Sequence, residues 1–188
     1  MVITQSASRW RAAEVGVPAD DSRFGDFRLA SISCPGVGSC VAVGTYSSRE
    51  DNSSSFAVTE AGGRWRRPVR VTVVPANTAR LSHLQLESVT CTKPGTCLAA
   101  GNYTNRSHGS LMMAAVLTDG KWTRASEITL PGGVRSTQQN GIWAGGGVVD
   151  CPSSGNCTAV GLYTHGTNAS GFSMTSADAA QIAPPGGR

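Results

Sequence analysis

The sequence predicts an all-β fold made of three copies of a four-stranded unit, on the strength of three observations. A Cys-x5-Cys segment occurs three times in nearly the same setting. The composition, with 23 glycines and only 15% charged residues in 188, favours many short strands and tight turns over long helices. Between the cysteine segments lie short alternating apolar stretches separated by Gly-containing turns, the period-two pattern of half-buried strands.

The repeat is read directly. Residues 29–46 are LASISCPGVGSCVAVGTY, residues 86–103 are LESVTCTKPGTCLAAGNY, and residues 146–163 are GGVVDCPSSGNCTAVGLY. The first cysteines, Cys34, Cys91 and Cys151, recur after 57 and 60 residues. A second shared block follows: AVTEAGGRW ends at Trp65 and AVLTDGKW ends at Trp122, while the third copy reaches FSMTSAD without a Trp. The absent piece has a counterpart at the other end, where SRWRAAEVGVP (8–18) matches RWRRPVRVTVVP (64–75) and KWTRASEITLP (121–131).

Each unit therefore reads as strands a (LASIS), b (CVAVG), c (SFAVT) and d (RWRRPVRVTV), with Val69, Val71 and Val73 on one face of d. The domain assignment follows. Residues 1–28 supply a d strand that completes the last unit, in this molecule or a neighbour; 29–85, 86–145 and 146–188 are the three repeats of a single domain.

Cys34 with Cys40, Cys91 with Cys97, and Cys151 with Cys157 each flank the a–b turn, where Pro and Gly reverse the chain and bring adjacent strands together. Three local disulfides are expected, each stabilising its unit by about 2 kcal/mol on the chain-entropy model. The rival reading is metal binding, but five intervening residues exceed the usual two to four and no His pair accompanies them.

The charge of +4 and pI near 8.9 are mild, and the densest basic group, Arg64, Arg66, Arg67 and Arg70, flanks one strand. No aromatic-rich basic ribbon accompanies it, so nucleic acid is not an expected partner. No apolar run approaches the roughly 18 residues that span a bilayer, so membrane insertion is not expected. MVITQSASRW lacks the basic and apolar regions of a signal peptide. The paired cysteines nevertheless predict an oxidising, extracellular location, with a leader trimmed or lying outside these residues.

The pattern L-x-S-V-x-C…G-x-C-x-A-x-G-x-Y…G-x-W resembles the Cys-containing repeats of actinobacterial secreted proteins, which are read as β-propeller blades. The turns TEAGGRW and LTDGKW also resemble the Asp-box turn of sialidase-like propellers, with the Asp kept only in the second, at Asp119. The resemblance implies a β-propeller of four-stranded blades, and three blades are too few for a ring. Either the chain is part of a longer propeller or, the preferred expectation, two copies exchanging the N-terminal d strand close a six-bladed homodimer. A β-trefoil, also three repeats of four strands, is the competing fold.

In a meander of this kind the d–a and b–c loops emerge together, opposite the disulfides, and are the longer and more polar set. Arg23, Arg80 and Arg135 follow the repeated Pro in the d–a loops, and Tyr46, Tyr103 and Tyr163 open the b–c loops. Arg offers a planar donor fork and Tyr an apolar face with a polar tip, which together suit a sugar or another polar small molecule. The structural alternative is that each Tyr caps the core and each Arg bonds loop carbonyls. His108 and His165 in b–c loops and Trp143 in the longest d–a loop are further ligand candidates outside the repeat register.

No Gly-rich phosphate loop, HExxH, GxSxG elbow or repeated carboxylate pair is present. The expected function is a carbohydrate-binding, lectin-like module with repeated non-catalytic sites and no cofactor or metal. The alternatives are a propeller hydrolase or lyase, with one asymmetric site built from residues such as His108, His165, Asp20, Asp21 and Glu50, and a protein-interaction scaffold.

Overall fold

The fold is a computed structural model, and it describes residues 1–6, 8–19, 26–48, 53–72, 83–104, 109–128, 143–165 and 168–175. Each cysteine segment forms a hairpin. Cys34–Cys40, Cys91–Cys97 and Cys151–Cys157 are disulfides, with Cα atoms 4.1, 4.0 and 4.1 Å apart, as the spacing predicts. The described residues are all-β and form separate antiparallel sheets.

Sheet 1 contains β3 (Phe27–Gly36), β4 (Ser39–Ser47), β5 (Ser53–Ala61), β6 (Arg64–Trp65) and β7 (Val69–Val71). Its order is β3-β4-β5, with both β6 and β7 pairing with β5, so it is the predicted a-b-c-d meander. Sheet 2 repeats it with β8 (Leu84–Lys93), β9 (Thr96–Thr104), β10 (Ser110–Thr118), β11 (Lys121–Trp122) and β12 (Ser126–Glu127). Sheet 3 holds β13 (Trp143–Ser153), β14 (Asn156–His165) and β15 (Asn168–Thr175).

Strand d is not the continuous strand that the sequence reading expects. In sheets 1 and 2 it is broken after the Trp, where Arg66 N donates to Thr59 O and Thr123 N to Val116 O, each at 2.8 Å. Pro68 lacks an N–H and cannot continue the ladder in sheet 1. In sheet 2 the break lets Ala125 N leave its own sheet and donate to Thr72 O of sheet 1 at 2.8 Å. Val73 lies outside the described residues.

A second departure is at the N-terminus. Residues 1–13 form a hairpin of two strands, β1 (Val2–Ser6) and β2 (Arg9–Ala13), paired with each other and, among the described residues, with no other sheet. The expected d strand therefore does not complete sheet 3 within this chain. Val2 and Val15 instead pack on sheet 1, against Ala42, Tyr46, Phe56 and Val58.

In sheets 1 and 2 the glycine that follows the Cys-x-Ala segment has a packing reason. Strand a bulges between Leu29 and Ser31 and between Leu86 and Ser88. There its backbone crosses strand b so closely that a Cβ on Gly44 would meet Arg28 O at 2.0 Å, and one on Gly101 would meet Gln85 O at 1.9 Å.

The sheets stack face to face in chain order. One core fills the gap between sheets 1 and 2, bringing Val41, Val43 and Val71 against Leu84, Leu86, Val89 and Leu111. Another lies between Ala100 of sheet 2 and Val149 and Cys151 of sheet 3. Hydroxyls of one a strand reach the edge amides of the next: Val89 N donates to Ser31 Oγ at 3.2 Å, Cys91 N to Ser33 Oγ at 3.0 Å, and Val149 N to Ser88 Oγ at 3.1 Å. Strands pair within sheets and, apart from the Ala125–Thr72 backbone bond, the sheets meet through side chains, as propeller blades do; a trefoil would instead pair its repeats into one barrel.

Candidate functional site

The site is built where strand a begins, strand b ends and strand c begins, on the face opposite the disulfides. Ser47 N donates to Asp26 O at 3.0 Å, and the same bond recurs in sheet 2 from Thr104 N to His83 O at 3.1 Å. These bonds hold the start of strand a against the end of strand b. Asp26 and His83 are thereby equivalent positions at the rim, both exposed.

Between sheets 1 and 2 this rim opens into a cleft of about 200 Å³ lined by Asp26, Arg28, Thr45, Tyr46, Ser47, Ser53 and Gln85. Arg28 of β3 and Gln85 of β8 both border the cleft, while their neighbours Phe27 and Leu84 join the cores on the outer face of sheet 1 and between sheets 1 and 2 respectively. The lining residues carry a guanidinium fork, a carboxylate, a carboxamide, three aliphatic hydroxyls and the Tyr46 phenol. That mixture matches the alternating donors and acceptors of a polyol.

Tyr46 and Tyr103 have no exposed side-chain surface. Tyr46 meets Phe56 edge-on at 6.0 Å between ring centroids, and Phe56 in turn stacks on Phe27 at 4.6 Å. Tyr103 donates its hydroxyl to Glu127 Oε2 at 2.8 Å. Both rings therefore occupy the core-capping position, and neither offers a stacking face to a sugar in this structure. Tyr46 touches the cleft from beneath.

Tyr163 and His165 lie on β14, and Trp143 opens β13, so His165 and Trp143 belong to strands where the sequence reading places loops. Tyr163 and Trp143 are backbone neighbours of Ala144 and Thr164 respectively. Arg23, Arg80, Arg135 and His108 lie outside the described residues, as do Asp20, Asp21 and Glu50. Sequence reading passes over Asp26, Arg28 and Gln85. For Arg28 and Gln85 the signal was the alternation at the start of strand a, where a polar residue follows Phe27 or Leu84.

A larger cleft of about 420 Å³ lies between strand d of sheet 1 and the c–d turn of sheet 2, and its lining includes Arg70, Lys121, Trp122 and Arg124. It contains part of the basic group seen in the sequence. Among the described residues no cluster of His, Cys, Asp and Glu could hold a metal ion, and no helix is long and apolar enough to cross a membrane.

No protein-family model matches the chain, and no curated protein matches it. Among solved structures it is similar to an α-L-arabinanase of Penicillium chrysogenum complexed with arabinobiose, with 16% identity over 73% of this chain and a TM-score of 0.43. The match covers 40% of the arabinanase chain, so this chain spans well under two thirds of its length.

The cleft chemistry is not copied around the stack. The position held by Arg28 in sheet 1 is Gln85 in sheet 2, and in sheet 3 it is Gly145, by its pairing beside Tyr163. Repetition thus supplies the frame, and the residues that would choose a ligand differ from one sheet to the next.

Proposed function

We propose that this chain is a secreted, non-catalytic carbohydrate-binding module of the propeller class, with its ligand seated in the cleft between sheets 1 and 2, and that two copies form a homodimer. One observation carries the binding reading: the open polar cleft at the loop rim, where Arg28, Asp26 and Gln85 converge beside serine and threonine hydroxyls. Arg28 reads vicinal hydroxyls or a carboxylate as a fork, and Asp26 accepts from a hydroxyl between them. The three disulfides support an oxidising, extracellular setting.

Glycan-array binding by the intact, unreduced chain tests this. A defined group of saccharides is expected to bind, with Arg28→Ala weakening binding about tenfold, the equivalent of about 1.4 kcal/mol, while the thermal midpoint stays unchanged. Binding that ignores both Arg28→Ala and Asp26→Asn moves the ligand elsewhere. Release of new reducing ends from a bound oligosaccharide replaces the lectin reading with a hydrolase, whose chemistry uses two carboxylates.

A further inference from the structure

We propose that residues 1–13 are strands c and d of a sheet whose strands a and b are β13 and β14 of a second copy of this chain, with β1 taking the place that β15 holds in the isolated chain. The proposal rests on the homodimer reading and replaces exchange of a lone d strand with exchange of a hairpin.

The register identifies the hairpin. Gln5↔Trp10 and Ser6↔Arg9 repeat Glu60↔Trp65 and Ala61↔Arg64 in sheet 1, and Leu117↔Trp122 and Thr118↔Lys121 in sheet 2. The turn agrees, since Ser8 has φ 62° where Gly63 has 74° and Gly120 has 76°. β1 is therefore a c strand and β2 a d strand.

The position agrees as well. Val2 and Val15 cover the outer half of the face of sheet 1, as the d and c strands of a preceding sheet would. The inner half of that face is bare: Ile32 is 49% exposed, whereas its equivalents Val89 and Val149 are each 5% exposed beneath the preceding sheet. Among the described residues no a–b hairpin lies beside β1.

Sheet 3 has the complementary need. Val160 is 44% exposed, while its equivalents Val43 and Ala100 are at 0% and 1% against the following sheet. Placing β13–β14 of one copy beside β1 of the other lays Val148 and Val160 over Ile32, reproducing a sheet-to-sheet contact that the chain already makes twice. The same move covers Trp10, 67% exposed, and Ile3, 55% exposed, where the equivalent Val58 is fully buried. Replacing β15 by β1 exchanges one ladder for an equivalent one and brings β2 with it, which β15 has no described partner to match.

Pairing fixes the test. Thr158 faces Thr175 on β15, and the equivalent pairs are Val41↔Thr59 and Leu98↔Val116, so Thr4 is the residue that would replace Thr175. Directly opposed strand residues place their Cβ atoms close enough for a disulfide. Thr4 and Thr158 are both exposed, so single cysteines there leave the core intact. Thr4→Cys and Thr158→Cys chains are mixed in equal amounts under mild oxidation, then sized by light scattering and by non-reducing electrophoresis. A dimer near twice 19.4 kDa that becomes covalent in the mixture is expected.

A solution dimer without a covalent product overturns the strand assignment and leaves the homodimer standing. A monomer overturns both. A double variant that cross-links within one chain overturns the second copy. Thr4→Pro, which removes a ladder donor from β1, is expected to give monomer, and Thr175→Pro to leave the dimer intact; the reverse result overturns the exchange.

Discussion

The boundary between sheets 1 and 2 and the far face of sheet 3 are made of equivalent residues in opposite states. At the first, Val43 is fully buried; at the second, Val160, its counterpart, is open. Ser88 accepts a hydrogen bond from Val149 N, whereas Val148, in the corresponding place one unit later, is 60% exposed. The difference teaches that no unit of this repeat owns its core. A strand pattern makes the sheet, and the next sheet decides whether its face is interior or surface.

The most damaging change to the closed boundary is at Gly101. A methyl there must displace the Gln85 carbonyl, so Gly101→Ala is expected to cost about 3 kcal/mol, read as a lowered denaturation midpoint in urea. An unchanged midpoint would show that strand a can retreat from strand b, and the close crossing would lose its structural meaning.

Next come the disulfides, which allow the two regions to be compared at fixed loop length. The chain-entropy model assigns about 2 kcal/mol to each pair, because all three close the same separation of 6 residues. Cys91→Ser with Cys97→Ser removes the pair from the sheet packed on both sides; Cys151→Ser with Cys157→Ser removes it from the open one. Equal losses are expected if the unfolded chain carries the effect. A larger loss in sheet 2 would locate it in native packing.

Smaller again is the hydroxyl between sheets. Ser88→Ala leaves Val149 N without its acceptor in a buried place and is expected to cost about 1–2 kcal/mol. Val148→Ser, which writes the same hydroxyl into the open face, should change the stability of the monomer little. Equal effects of the two substitutions would remove the distinction between closed and open faces.

The smallest effect is expected at Ser8, the left-handed residue of the N-terminal turn, where the complete sheets carry Gly63 and Gly120. Ser8→Gly should relieve about 0.5 kcal/mol of backbone strain, visible as slower amide exchange in β1 and β2. Faster exchange would mean that the hairpin is not held in the c–d geometry.

Much of the fold was legible because it is written locally. Cys34, Cys91 and Cys151 set the period, the Pro and Gly residues between the cysteines set the turns, and alternation set strands a to c. Strand d was read as continuous because alternation continues through Arg66 and Pro68; the break arises from bonds to Thr59 and, in sheet 2, to Thr72 across the sheet boundary, which no local pattern carries. The N-terminal hairpin was half read. Trp10 announced a d strand, but VITQS in front of it is too polar and short to announce a c strand until its pairing with β2 is seen.

The candidate site was legible in location and not in membership. Loop polarity pointed to the rim where the cleft opens, and repetition pointed to Tyr46 and Tyr103, because a residue that recurs with the frame draws attention. Those rings recur because they cap the core, with no surface exposed. Asp26, Arg28 and Gln85 escaped notice because they change from unit to unit.

By itself the sequence determined the all-β class, the three units, the strand order within them and the three disulfides, since each depends on residues a few positions apart. Only the tertiary structure decided which apolar faces are interior, where strand d breaks, that residues 1–13 pair as a hairpin, and which polar residues line one cleft. Those are properties of neighbours distant in the chain, and burial belongs to the neighbours as much as to the residue.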